Sequence, residues 1–332
     1  MVPRFTSAIA ALALAASPVR GAAPVAATPA PFPAPSEIVA AAPAGDWHAI
    51  APADVLVMDL APGPAGQARR VVIQLLPPPL SLGWTANVRK LAAVHWWDGT
   101  SINRVQDDYV AQWGDADADD KARARPLPSG LATPPASDYV VPFPRVMLAS
   151  PDGRRVDPPQ APIAVRWLAD SVARDAYAPH VGHTASGWPV AGDGQALWPV
   201  HCYGMVGVGR GMSPDTGSGA ELYAVIGHAP RHLDRNIALV GRVIEGIEWL
   251  SSLPRGTGPL GFYATAGERT AILRIRLGTE VPRLPRYQVL APESASFARY
   301  AEARASRRDP FFVAPAGGAD ICNVPVPVRR AP

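Results

Sequence analysis

Charge, cysteine and long apolar runs are all scarce in this sequence, and each scarcity excludes something. Charged residues make up 18% of the 332 positions against 48% apolar. That ratio is wrong for a disordered chain and sufficient to bury one large core or two modest ones. The formal charge is only +3, so neither nucleic acid nor anionic lipid is called for as a partner. Beyond the first residues, no segment approaches the roughly 20 apolar residues that span a bilayer, so the mature protein is expected to be soluble. The only two cysteines, Cys202 and Cys322, cannot build a metal site without histidines at suitable spacing. His228 and His232 have Pro230 between them and lack the central Glu of a zinc-protease helix, and His180 and His183 sit in a Pro/Gly-flanked loop, so no metal is expected. Gly217-Ser218-Gly219 is not the G-x-S-x-G elbow of a hydrolase, and Gly204, Gly207, Gly209 and Gly211 do not make a nucleotide loop before a helix. Proline is the opposite case. Its 39 residues are more than twice the average share of about 5%, which argues against an all-α fold and for long irregular connections.

Residues 1–22 read as a secretory signal: Arg4, an apolar stretch from Ala8 to Ala16, then small residues around Gly21–Ala23. An uncleaved amphipathic anchor is the alternative. Removing Arg4 and Arg20 from the 31 basic residues leaves 29 against 28 acidic ones, a charge of about +1. A periplasmic or secreted location follows, and with it an oxidising compartment in which a Cys202–Cys322 disulfide would tie the core to the C-terminal tail. Two independent buried thiols are the other reading. Residues 23–45, rich in Ala and Pro without hydrophobic period, are expected to be an extended linker.

From residue 46 the pattern changes. Val55–Leu60 and Arg70–Leu75 are β-branched-rich runs on either side of Pro62-Gly63-Pro64-Ala65-Gly66, a hairpin-like pair. Trp84, Val88, Leu91 and Ala92 lie at helical spacing, so residues 83–94 should be a helix. Trp96-Trp97 after it is expected to pack in the core or at its rim. Residues 116–199 hold thirteen prolines and are expected to form a long, partly ordered excursion. Short strands such as Tyr139–Val141 and Val146–Leu148 and an amphipathic element at Ile163–Ala176 are expected within it. Cys202–Arg210 reads as a buried strand, Glu245–Ser252 as a helix and Ala271–Leu277 as a last strand. Residues 281–332 form a basic, Pro-rich extension in which Phe297, Tyr300, Ala301 and Arg304 share helical spacing, and this tail should dock on the domain.

The chemistry concentrates at Ser101–Asp115, SINRVQDDYVAQWGD. Two extended pieces, Ser101–Val105 and Tyr109–Trp113, flank the polar turn Gln106-Asp107-Asp108, a hairpin able to hold a guanidinium beside an apolar floor. This run resembles the F-H-R-x-x-x-x-F-M-x-Q-x-G-D motif of the cyclophilin-type peptidyl-prolyl isomerases. Arg104, Gln112, Gly114 and Asp115 match, and Tyr109 stands for Phe. Ile102, Asn103, Val110 and Trp113 depart from it. Further on, Gly217–Ile226 resembles the family's G-S-Q-F-F-I segment, with Glu221, Leu222 and Tyr223 in the Gln-Phe-Phe places. Leu233–Val243 resembles L-D-G-x-x-x-V-F-G-x-V.

The resemblance covers two blocks, about 46–115 and 201–278, within one domain at 46–280. It implies a mainly β fold: a closed eight-stranded barrel capped by two helices, interrupted by the long insertion. It also implies cis–trans isomerisation of X–Pro bonds without cofactor, acting on proline-containing segments of unfolded or exported proteins. Arg104 and Gln112 would be catalytic. Tyr109, Val110, Leu222, Tyr223 and Leu233 would line the proline pocket, with Arg210, Glu221 and His232 around it. Glu221 stands where a neutral amide is usual and is placed to pair with Arg104 or Arg210. The altered pocket leaves a second reading, a peptide-binding module or chaperone without turnover.

Overall fold

Runs of apolar, often β-branched residues build the central sheet, most of whose strands are buried along nearly their whole length. The structure, a computed structural model, describes residues 32–142, 146–148 and 163–332, so the expected signal peptide lies outside the described residues. Eight antiparallel strands close into a barrel in the spatial order Met205–Val208, Leu222–Val225, Val110–Gly114, Ser101–Val105, Thr270–Leu277, Val55–Leu60, Arg69–Leu75 and Leu239–Glu245. The last strand pairs back onto the first. Inward-facing Leu56, Met58, Ile73, Ile102, Trp113, Leu222 and Ile275 fill the interior, leaving no channel. Each aliphatic side chain fully buried there contributes roughly 1.5–3 kcal/mol.

Helices plug both ends. Leu82–Ala93 buries Trp84, Val88, Leu91 and Ala92, as its 3.6-residue spacing requires. Trp97 is fully buried and donates its indole N–H to the Ala220 carbonyl at 2.7 Å. The second cap is shorter than the sequence suggests: Glu248–Ser251 is a single turn, because the preceding strand continues through Glu245. Gly246 makes the corner at φ 84°, where a Cβ would stand 2.0 Å from the Arg70 carbonyl oxygen.

The proline-rich insertion builds more than an excursion. With Val141–Pro142 and Val146–Leu148 it forms a six-stranded sheet, whose other members are Ile163–Trp167, His180–Thr184, Pro189–Gly192 and Ala196–Pro199. Ile163–Ala176 is therefore a strand and a turn rather than one amphipathic element, and Tyr139 ends a 3₁₀ turn before the Val141 strand. Prolines 142, 189 and 199 sit at strand ends, where a missing N–H is tolerated. Val190, Leu197 and Trp198 of this sheet, with Trp188 from the turn before Pro189, pack against Leu76, Leu80, Met205 and Leu239 of the barrel region.

The expected linker is in part structured: Pro35–Ala40 is a helix that buries Ile38. It joins a third core with the helix Ala295–Ala305, whose Phe297, Tyr300 and Ala301 are buried, and with a three-stranded sheet of Trp47–Ile50, Tyr287–Leu290 and Val328–Arg330. Ser294 caps that helix by accepting from the Phe297 N–H at 3.0 Å. A Cys202–Cys322 disulfide ties this tail to the edge of the barrel. No helix among the described residues is long and apolar enough to cross a membrane.

Candidate active site

A bulge aims the arginine. Between Ile102 and Arg104 the register slips by one residue against the Val110–Gly114 strand, leaving Asn103 as the extra residue. Ile102 and Val105 can therefore both face the barrel interior while Arg104 points outward. Three oxygens hold its guanidinium: Nε donates to the Leu260 carbonyl at 2.7 Å, Nη1 to Gln112 Oε1 at 3.2 Å, and Nη2 to Gln106 Oε1. The rings of Tyr109 and Phe262 flank it, with centroids 5.6 and 5.3 Å from Cζ. Burial lowers the arginine's pKa from its ordinary value, but a guanidinium stays charged in a protein. Of its five N–H groups, three are engaged by the described residues, and among those residues the other two have no partner.

Beside this donor lies an apolar patch. On the outer face of the paired strands, Val110 stands opposite Val225 and Gln112 opposite Tyr223. Val110, Tyr223 and Val225 form one buried cluster, with Tyr109 and Ile237 packed against it. Leu222 has the opposite parity and belongs to the barrel core, so it does not line this pocket. Leu233 ends a 3₁₀ turn and His232 is exposed, and the side chain of that segment that reaches the patch is Ile237. Arg210 turns to backbone, donating to the Asn236 and Gly211 carbonyls at 3.1 and 2.8 Å.

Glu221 pairs with neither arginine. Its carboxylate accepts from the Asp115 N–H at 2.7 Å and occupies the space a side chain at Gly114 would need, since a Cβ there would lie 2.0 Å from Glu221 Oε1. Gly209 is held open in the same way: its Cβ would meet Glu221 Cβ at 2.9 Å and Gln112 Nε2 at 3.4 Å. Burial pushes the Glu221 pKa up to about 8, opposed by the Asp115 hydrogen bond.

The closed eight-stranded barrel that carries this site matches a known architecture. A family model for the cyclophilin type peptidyl-prolyl cis-trans isomerases matches residues 83–261, more than half of the chain. The chain belongs to that family. By structure it is similar to a cyclophilin from Hirschia baltica, with a TM-score of 0.59 at 18% identity, covering 86% of this chain and 94% of that one. A cyclophilin-type isomerase from Cryptosporidium parvum gives a TM-score of 0.38 at 10% identity, over 67% of this chain and 97% of that one. The same protein in the presence of the dipeptide Ala-Pro gives 0.36 at 9%, over 67% and 98%. No curated protein matches the sequence. The family match begins inside the first capping helix, yet the cyclophilin barrel closes here with strands from outside it, Val55–Leu60, Arg69–Leu75 and Thr270–Leu277.

Several contributors to this cyclophilin site escape a reading of the sequence. Gln106 carried a signal, since it lies two residues from Arg104 on the same side of the chain. Leu260 and Phe262 carried none: they come from a glycine-containing loop more than 150 positions away and reach Arg104 only through barrel closure.

Proposed function

We propose that this cyclophilin isomerises X–Pro bonds with Arg104 as the group that stabilises the twisted amide. Rotation about the bond faces about 18–20 kcal/mol because the nitrogen lone pair is delocalised into the carbonyl. In the transition state that pair localises on a pyramidal nitrogen, and a donor aimed there binds the transition state better than the ground state. The observation that carries the reading is the three-point anchorage of Arg104, with two N–H groups that have no partner among the described residues. Gln112 takes one N–H of Arg104 and steadies it. The prolyl ring enters the Val110–Tyr223–Val225 patch, where water is excluded, and Tyr109 forms its side wall.

The proposed clients are exported proteins with proline-containing segments, a reading supported by the signal pattern at residues 1–22 and by the disulfide. A protease-coupled assay on an X–Pro peptide tests the chemistry. Wild type is expected to accelerate isomerisation, and Arg104→Ala to lose about 10²–10³-fold in kcat/KM, the usual effect of removing one preorganised donor. No acceleration by wild type, or an unimpaired Arg104→Ala, would leave the second reading, a peptide-binding module, in its place. The altered residues Val110 and Glu221 are what favour that second reading.

A further inference from the structure

Tyr223, at the floor of the apolar patch, carries a hydroxyl that a phenylalanine there would not need to satisfy. Its O–H lies 3.0 Å from His201 Nε2, and the two rings are nearly parallel, at 15°. Behind His201 runs an unbroken series of buried polar groups. Asp234 Oδ1 accepts from both Nδ1 and the backbone N–H of His201 at 2.9 Å. Asp234 Oδ2 accepts from Arg231 Nε at 2.7 Å, and Arg231 Nη1 donates to Asp175 Oδ2 at 2.6 Å. Asp175 Oδ1 in turn accepts from the Tyr177 N–H at 2.9 Å, while the Arg231 guanidinium covers the Tyr177 ring at 4.9 Å. No side chain from His201 to Asp175 is more than 6% exposed. Asp175 and Tyr177 belong to the insertion, Tyr223 to the groove.

The direction of each bond follows. A carboxylate at Nδ1 puts the imidazole proton there, so Nε2 is the acceptor and Tyr223 the donor. Burial lowers the His201 pKa against the pull of Asp234, which keeps the ring neutral. The phenol end of Tyr223 also closes on the Gly207 backbone, where a Cβ would come 2.3 Å from both Cζ and the hydroxyl oxygen. The hydroxyl end of the ring is thus held by a close backbone and a hydrogen-bonded series, while the ring itself packs with Val110 and Val225.

We propose that the insertion fixes the floor of the proline groove through the series Asp175–Arg231–Asp234–His201–Tyr223, with Asp175, Arg231, Asp234 and His201 as positioning residues that anchor the groove-lining Tyr223. The proposal rests on the groove being the substrate site, as read above. Two substitutions test it: Tyr223→Phe deletes only the hydroxyl, and Asp175→Asn alters the far end without touching the groove. Each should raise KM for an X–Pro peptide roughly three- to thirtyfold with a smaller change in kcat, the scale expected when a buried polar group loses its partner. The double variant should add little to either single one. Asp175→Asn should also shift the methyl NMR resonances of Val110 and Val225, which pack on Tyr223. A purely structural array would lower the melting temperature and leave KM and those methyl resonances at wild-type values, and that result overturns the proposal. If wild type neither turns over nor binds the peptide, the reading of the groove fails, while the methyl shifts in Asp175→Asn still decide whether the array reaches its floor.

Discussion

Two arginine–glutamine pairs stand across neighbouring strands on the outside of the same barrel, and only one of them is open. Arg104 pairs with Gln112 at the groove. Arg242 pairs with Gln74, donating from Nε and Nη2 to a single oxygen at 2.9 and 2.7 Å. The second pair lies under the six-stranded sheet: Nη1 of Arg242 donates to the Gly187 carbonyl at 2.5 Å, and its guanidinium stacks on Trp188 at 4.5 Å. Burial pushes the Arg242 pKa down to about 9. Arg104 has two N–H groups without a partner among the described residues. The pairs are chemically alike, so what covers each one decides its role: the insertion makes one pair a fastener and leaves the other facing solvent.

The largest effect should come from unlocking the covered side. A cross-link between residues 120 apart restricts the unfolded chain by about 5 kcal/mol in the chain-entropy model, and the double variant Cys202→Ser/Cys322→Ser should lose on that order in urea unfolding. Hydrogen exchange should then show Tyr287–Leu290 and the insertion sheet opening before the Val110–Gly114 and Leu222–Val225 strands. If the groove strands open first or together with them, the two sides are one cooperative unit and the contrast dissolves. Next in size is the fastener itself. Arg242→Met strands the oxygens of Gln74 and Gly187, and should cost about 3 kcal/mol of stability while leaving turnover per folded molecule unchanged. Adding Gln74→Leu should recover part of that loss. Arg104→Ala should do the reverse, with stability held within about 1 kcal/mol and turnover lost. Equal behaviour of the two variants in both assays would show that cover does not separate their roles.

The sequence conveyed the barrel better than what surrounds it. The β-branched-rich runs at Val55–Leu60 and Arg70–Leu75, and helical spacing from Trp84 to Ala92, are local signals that the structure reproduces. The Arg104 strands were legible for the same reason. Parity was not: Leu222 and Tyr223 are adjacent, and only the pairing of Tyr223 with Gln112 decides which of them faces the groove. The six-stranded sheet was hidden because its strands are two to five residues long and punctuated by proline, so no period develops. His201 and Asp234 each looked unremarkable in sequence, and their partnership spans 33 positions. For Glu221 the sequence suggests an ion pair, since a carboxylate stands near two arginines, whereas in the fold the Asp115 N–H competes for it and takes it.

That competition yields the smallest effect and a direct test of how dry the groove side is. Burial raises the Glu221 pKa from 4.5 to about 8, with Asp115 and Asp119 adding like charge and the Asp115 N–H and Gln112 amide pulling the other way. A carboxyl whose pKa is higher folded than unfolded binds its proton more tightly in the native state. Its contribution to stability is therefore fully present below about pH 4.5 and is lost as the pH rises to about 8. Between about pH 5 and pH 7 the loss should be on the order of 2–3 kcal/mol. Glu221→Gln cannot ionise and should flatten that decline, while its amide can still accept from the Asp115 N–H. Urea unfolding of both proteins across this range measures the difference. Parallel curves would mean that water reaches Glu221, and with it the Gln112 end of the groove; divergent curves would make this face as dry, around one carboxyl, as the face that hides Arg242.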